Sequence, residues 1–197
     1  MSAREEVLRR VREALPATRP QPVHVPRGYR SRPTRDGVVE LFVERVEDYK
    51  ATAVRCTAAD LAQVVAAALP AGARVVVPEG LSFDVPGAVV DRGFSATELD
   101  AFDAVVTTAA TGVAETGTVV LTHGPGQGRR AITLVPDLHV CVVRVDQVVP
   151  DVPAAVAGLD PLRPQTWISG PSATSDIELQ RVEGVHGPRT LHVVLVG

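Results

Sequence analysis

Aromatic residues are scarce in this chain, with one Trp, two Tyr and four Phe among 197 residues. A core with so few rings must be filled by Val, Leu, Ile and Ala, which suits strands buried on both faces of a parallel sheet. That points to an α/β fold, and the length suits one sizeable domain with an added arm. Lysine is nearly missing as well: Lys50 stands alone against 19 Arg. The bias fits nucleotide composition as readily as function, so no mechanism follows from it. Cysteine is almost as rare. Cys56 and Cys141 lie far apart with no Cys-x-x-Cys and no nearby His pair. The ligand spacing of an iron–sulfur cluster or a zinc site is therefore missing, and no metal or other cofactor is expected. Both cysteines sit in apolar runs and read as reduced, buried small hydrophobes. No apolar run approaches the length of a membrane span, and MSAREEVLRR has no signal-peptide hydrophobic region, so a cytoplasmic location is expected.

Charge is unevenly spread. Residues 1–35 hold nine Arg against three Glu, leaving the remainder with a net charge of −9. A basic arm can hold nucleic acid, but this one has no interleaved aromatics and the body is acidic, so a nucleic-acid partner is not expected. Docking on its own body or on a neighbouring subunit explains the arm equally well, which leaves a homo-oligomer open. Within it, SAREEVLRRVREAL opens with the capping-box spacing Ser2 to Glu5 and places Val7, Leu8, Val11 and Leu15 on one helical face. Five prolines in residues 16–35 then forbid regular helix and mark a linker. The expected division is an arm over 1–35 and an α/β domain over 36–197.

In that domain, Asp36 could cap a helix carrying Val39, Phe42, Val46 and Tyr49. A β-α-β unit follows, with strands at 52–56 and 74–77 and Thr57 capping the helix between them. A helical turn feeds the strand DAVVTT, and TGTVVLTH reads as a buried strand. The stretch between them, TAATGVAE, reads as a tight loop at a strand end and hence a candidate site wall. HGPGQGRR is G-x-G-x-G without the strand-to-helix context of a dinucleotide fingerprint, and reads as a loop. HVCVVRV is the clearest strand. VPAAVAGL suggests a short helix, TWIS a short strand, Ser175 to about Val182 a helix, and TLHVVLVG a last strand.

The candidate chemistry gathers near the C-terminus. Ser175 and Glu178 have capping-box spacing, which explains that helix start without a ligand. The preceding loop, Ser169, Gly170, Pro171, Ser172, Ala173 and Thr174, offers N–H groups and hydroxyls where a small anion could rest, although Gly-Pro-Ser loops are also common structural turns. His186, in VHGP, sits in a turn. It is a structural or exposed residue unless it faces that loop, where an imidazole could act near neutral pH. Glu115, at the rim of TAATGVAE, is a candidate nucleophile or base, or a solvated loop carboxylate. Arg130 could grip a carboxylate or phosphate with two N–H groups. Asp137 flanks the same run, and His139 is either a ligand donor or a satisfied residue at a strand entrance.

AETGTVVLTH (114–123), RRAITLVPDLHVCVV (129–143), ISGPSATSDIE (168–178) and EGVHGP (183–188) together resemble the LUD-domain family, in order and over residues 36–197. The resemblance implies an α/β fold, a mostly parallel sheet flanked by helices, similar to the NagB, ribose-5-phosphate isomerase (RpiA) and CoA-transferase-like superfamily. It also implies a part in oxidising L-lactate to pyruvate, with iron–sulfur oxidoreductase subunits of a lactate utilization system as partners. The chain would then be a component without a redox cofactor that binds a small anion or supports assembly. The alternative implied by the superfamily is an acyl or CoA transferase with Glu115 as nucleophile.

Overall fold

The structure, a computed structural model, describes residues 2–15, 24–26, 37–174, 182–183 and 186–197. Contacts divide the chain into two compact units, Met1–Arg30 and Ser31–Gly197. The first contains one helix, α1 (Ala3–Ala14), whose Ser2 and Glu5 form the expected reciprocal cap. Arg9 and Arg10 pair with Glu6 along its polar side, and Val7, Val11 and Leu15 are exposed. Most of the proline-rich linker lies outside the described residues.

The second unit is built on a six-stranded, wholly parallel sheet. In chain order its strands are β1 (Thr52–Cys56), β2 (Val75–Val77), β3 (Val89–Val90) and β4 (Ala104–Thr108), followed after a smaller sheet by β7 (Leu138–Arg144) and β12 (Thr190–Val196). Their spatial order is β1-β12-β7-β4-β2-β3. The smaller sheet runs β8-β5-β6-β9, from β5 (Thr111–Val113), β6 (Thr118–Leu121), β8 (Val148–Val149) and β9 (Thr166–Ser169). β10 (Ala173–Thr174) and β11 (Val182–Glu183) form a separate antiparallel pair.

Period-two alternation sends successive side chains of the large sheet to opposite faces. Val75, Val77, Ala104, Val106, Val140, Val142 and Val194 pack towards α3 (Leu61–Ala68), which contributes Val65. On the other face, Cys141, Val143, Leu191, Val193 and Leu195 meet α2 (Val38–Asp48), through Phe42 and Val46, and β6 through Val119 and Leu121. The far face of the small sheet, Val113 and Val120, packs on α5 (Val152–Gly158) through Ala155. A third cluster on the α2 face joins Val76 and Val105 to α4 (Ala96–Leu99) and to Ile132 of a 3-10 turn, Arg130–Thr133.

Several local readings need correction. Thr57 caps the turn that leads into α3 and not the first turn of the helix itself. Its Oγ1 accepts the Asp60 N–H (3.3 Å) and its hydroxyl donates to Asp60 Oδ2 (2.7 Å), while the helix begins at Leu61 with Asp60 before it. β1 and β2 are parallel but lie at opposite ends of the sheet's central strands, so their helix crosses under β12, β7 and β4. TAATGVAE is not a loop throughout: Thr111–Val113 is a fully buried strand, and only the next four residues turn. Cys56 is half-buried at a sheet edge, whereas Cys141 is fully buried. The helix expected from Ser175 lies outside the described residues except at Val182, which is in β11. Asp36 also lies outside them, and Gly37 precedes α2. Among the described residues no helix is long and apolar enough to cross a membrane.

Candidate functional site

A cavity of about 220 Å3 opens on the α2 face of the large sheet, near the start of β7 and β12. His139, Arg130, Ser169, Gly170, Ser172 and His186 all line it. Six residues singled out in three separate stretches of sequence thus share one space. Thr174 contributes its backbone to β10, and its side chain is not among those described. Glu115 is not among the residues that line the cavity. It is exposed in the turn between β5 and β6, and its N–H donates to the Pro150 carbonyl (3.1 Å).

His139 is placed by register. Its Cα partners are Leu191 on β12 and Val105 on β4, so it points to the same face as both and is 1% exposed. Its Nε2 meets the Thr107 hydroxyl at 2.8 Å, and that hydroxyl also lies 3.8 Å from Cys141 Sγ. An imidazole nitrogen is a better acceptor than a thiol, which favours Thr107 donating to Nε2 and leaves the ring proton on Nδ1. Burial, and secondarily the Arg130 charge, push the His139 pKa down to about 3. At neutral pH the ring is uncharged and a poor base, fit to hydrogen-bond a ligand but not to take its proton.

Arg130 opens the 3-10 turn. One guanidinium nitrogen donates to Thr133 O (2.9 Å) and Thr133 Oγ1 (3.2 Å), and the other to His186 O (3.1 Å). Burial alone shifts its pKa, downward, with no carboxylate among the described residues to offset it. The group stays charged at neutral pH. A half-buried cation that, among the described residues, is held by neutral oxygens favours an anion alongside it.

Ser172 ties the third wall. Its Oγ accepts the His186 N–H (2.7 Å) and its own N–H donates to Pro188 O (2.8 Å), so SGPS is stitched to the 186–188 turn. Among the described residues the Ser172 hydroxyl only accepts, which leaves its proton for a ligand. Ser169 is less free, since its hydroxyl pairs with Thr118 Oγ1 (2.7 Å) across β6 and β9. Gly170 has a structural explanation. At φ +75° it would set a Cβ 2.5 Å from Tyr49 O, so only glycine lets the loop lie against the end of α2. Gly117 in the AETGT motif meets the same helix in the same way, since a Cβ there would fall 2.5 Å from the carbonyl carbon of Arg45.

Four further lining residues, Thr133, Trp167, Ile168 and Leu191, carry no functional signal in the sequence. Ile168 supplies apolar surface from a strand that reads only as TWIS, Trp167 pairs with Val120 and so shares the opposite face of that strand, and Leu191 looks like any core residue of a last strand. Asp137, by contrast, lies away from the cavity in a bidentate pair with Arg189 (2.6 and 2.9 Å). Among the described residues no three His, Cys, Asp or Glu side chains gather as a metal site.

The fold defines an α/β protein with a parallel sheet and a small cavity that, among the described residues, carries one guanidinium. The chain belongs to the LUD domain family, whose domain matches residues 84–196. It is 43% identical to lactate utilization protein C of Deinococcus radiodurans over 99% of this chain and 96% of that one. It is 39% identical to lactate utilization protein C of Bacillus pumilus over 84 residues, which are 39% of this chain and 35% of that one. Among solved structures it is similar to a DUF162 family protein from Deinococcus radiodurans, with a TM-score of 0.69 and 39% identity, covering 81% of this chain and 96% of that chain.

Proposed function

We propose that this chain is a component of a lactate utilization system that oxidises L-lactate to pyruvate, acting with iron–sulfur oxidoreductase subunits, and that its cavity binds a small carboxylate. The relatives' names support the role in lactate utilization. The observation that carries the ligand is Arg130, a charged guanidinium facing the cavity beside an uncharged His139. One positive charge matches one carboxylate. A phosphate dianion would be half neutralised there, and the several phosphates and large body of CoA exceed both the charge and the 220 Å3. Ile168 and Leu191 offer apolar contact to a short aliphatic chain, and His139 and Ser172 can hydrogen-bond an oxygen next to its carboxylate.

On this proposal the chain holds no iron–sulfur cluster of its own, because two separated cysteines are too few for a four-thiolate cluster. Calorimetric titration with L-lactate, pyruvate, phosphate and CoA tests it. Saturable binding of either carboxylate, weakened by Arg130→Gln, supports the site. Binding of CoA alone, or binding insensitive to Arg130, would sink it. Failure of the chain to co-purify with the iron–sulfur subunits would remove the second half of the proposal.

A further inference from the structure

The segment that presents Arg130 to the cavity is held from behind. Arg129 turns its guanidinium the other way and closes on Asp91, with Nε to Oδ2 at 2.7 Å and Nη2 to Oδ1 at 2.9 Å. Nη2 also donates to Phe94 O (2.6 Å). Asp91 follows β3 directly, and its side chain is only 8% exposed. Its Oδ1 further accepts the N–H groups of Gly93 (3.1 Å) and Phe94 (3.2 Å). The carboxylate is therefore engaged on both oxygens by neighbours that belong to the fold. Asp91 and Arg129 line a separate recess with His123.

Arg129 has extended backbone, φ −79° and ψ 157°, immediately before the 3-10 turn. Consecutive side chains leave extended backbone on opposite sides, so anchoring Arg129 fixes the side from which Arg130 departs. Arg130's own hydrogen bonds reach Thr133 in its own turn and a single carbonyl of the 186–188 loop, and neither anchors the turn to the sheet. Anchors that do so include buried Ile132, with Ala131 and Val135 packed on the same cluster, and the Arg129–Asp91 pair. His123 acts as a second strut on the same segment. At φ +57° it places its Nδ1 on Gly128 O (2.8 Å) and its Nε2 on the Thr166 hydroxyl (3.0 Å), and Thr166 lines the carboxylate cavity. A non-glycine residue in that backbone region persists only where surrounding contacts over-determine it.

We propose that Asp91 is a positioning residue for the cavity: by clamping Arg129 it aims Arg130. Its effect on binding rests on the carboxylate reading of the site, but its effect on Arg130 does not. Two-pronged recognition by a guanidinium demands an orientation held to roughly 10–20°, and the clamp supplies it from outside the cavity.

Asp91→Asn in the full chain tests this, since it keeps size and shape and removes the charge that holds Arg129. Two readouts separate the possible failures. In spectra of 15N-arginine-labelled protein, the Arg130 Nε–Hε resonance should shift or broaden relative to the unsubstituted chain. The L-lactate dissociation constant should rise about tenfold, the loss expected when one charge-assisted hydrogen bond is misaligned. Val65→Ala, on the opposite face of the sheet, serves as a control that lowers stability and should change neither readout. An unchanged Arg130 resonance in Asp91→Asn, or an equal change in Val65→Ala, overturns the proposal. If the unsubstituted chain binds no carboxylate, the binding reading fails and the resonance still decides whether Asp91 positions Arg130. Should Asp91→Asn not fold, Arg129→Lys keeps the charge without the two-pronged geometry, and the same shift is expected.

Discussion

Arg129 and Arg130 leave the backbone one after the other, and their surroundings differ in kind. Arg129 meets a nearly buried carboxylate in two-pronged geometry and a carbonyl besides, so its charge is matched and its donors are aimed at the fold. Arg130 meets two carbonyls and a hydroxyl, is shifted by burial without a balancing acid among the described residues, and faces a cavity. The difference teaches how to separate a structural cation from a binding one. A structural cation is closed by the chain's own carboxylate, whereas the cation proposed to bind a ligand lies beside a cavity with no balancing carboxylate among the described residues.

Acid titration should divide the two regions most widely. On the Arg130 side, His139 has a native pKa of about 3, below its unfolded value of 6.5, so it stabilises the fold fully above 6.5. That stability drains as pH falls from 6.5 towards 3, because only the unfolded chain takes up the proton, and the loss approaches ~5 kcal/mol. On the Arg129 side, hydrogen bonds from Arg129 hold the Asp91 carboxyl below its ordinary 3.8, and its contribution is lost only as pH falls below that value. Urea unfolding of the natural chain and of His139→Asn between pH 7 and 4 checks this. The two stability curves should converge as the solution is acidified, and parallel curves would contradict the buried, neutral imidazole.

Substitution sharpens the contrast next. Arg129→Gln leaves Asp91 charged and nearly buried without its partner, and should cost about 2–3 kcal/mol, discounted from a fully buried pair because Arg129 is 40% exposed. Arg130→Gln should change stability by less than about 1 kcal/mol, yet weaken carboxylate binding by about 2 kcal/mol, or roughly thirtyfold. Exchanged outcomes, with Arg130→Gln unfolding and Arg129→Gln losing ligand, would invert the assignment. Smaller still, Ser172→Ala removes the acceptor for His186 N–H and should cost about 1 kcal/mol in stability, with a few-fold loss of affinity as the 186–188 turn loosens.

Much of this is readable in the chain. Runs such as HVCVVRV and TLHVVLVG become β7 and β12 because continuous Val and Leu suit strands covered on both faces. SGPS and His186–Pro188 line one cavity together with Arg130 and His139, a juxtaposition that composition makes possible and the family resemblance points to. What stays hidden depends on approach between distant segments. Nothing local marks Gly117 and Gly170 as contact points for α2, because the clash that excludes a side chain comes from Arg45 and Tyr49. Asp91 carries no motif, and its partner is 38 residues away. Thr111–Val113 reads as loop because its small residues and glycine mask a strand whose pairing with β6 and β8 buries it completely. The apolar wall of Ile168 and Leu191 is indistinguishable in sequence from ordinary core.

Calorimetric titration of L-lactate into the natural chain, Arg130→Gln and Glu115→Gln from pH 6 to 8 tests the central claim most directly. Neither a neutral His139 nor a permanently charged Arg130 titrates in that window, so they predict saturable binding by the natural chain that they do not make pH-dependent, roughly thirtyfold weaker in Arg130→Gln and unchanged in Glu115→Gln. Binding that ignores Arg130 and disappears with Glu115 would contradict the account and move the site to the turn between β5 and β6.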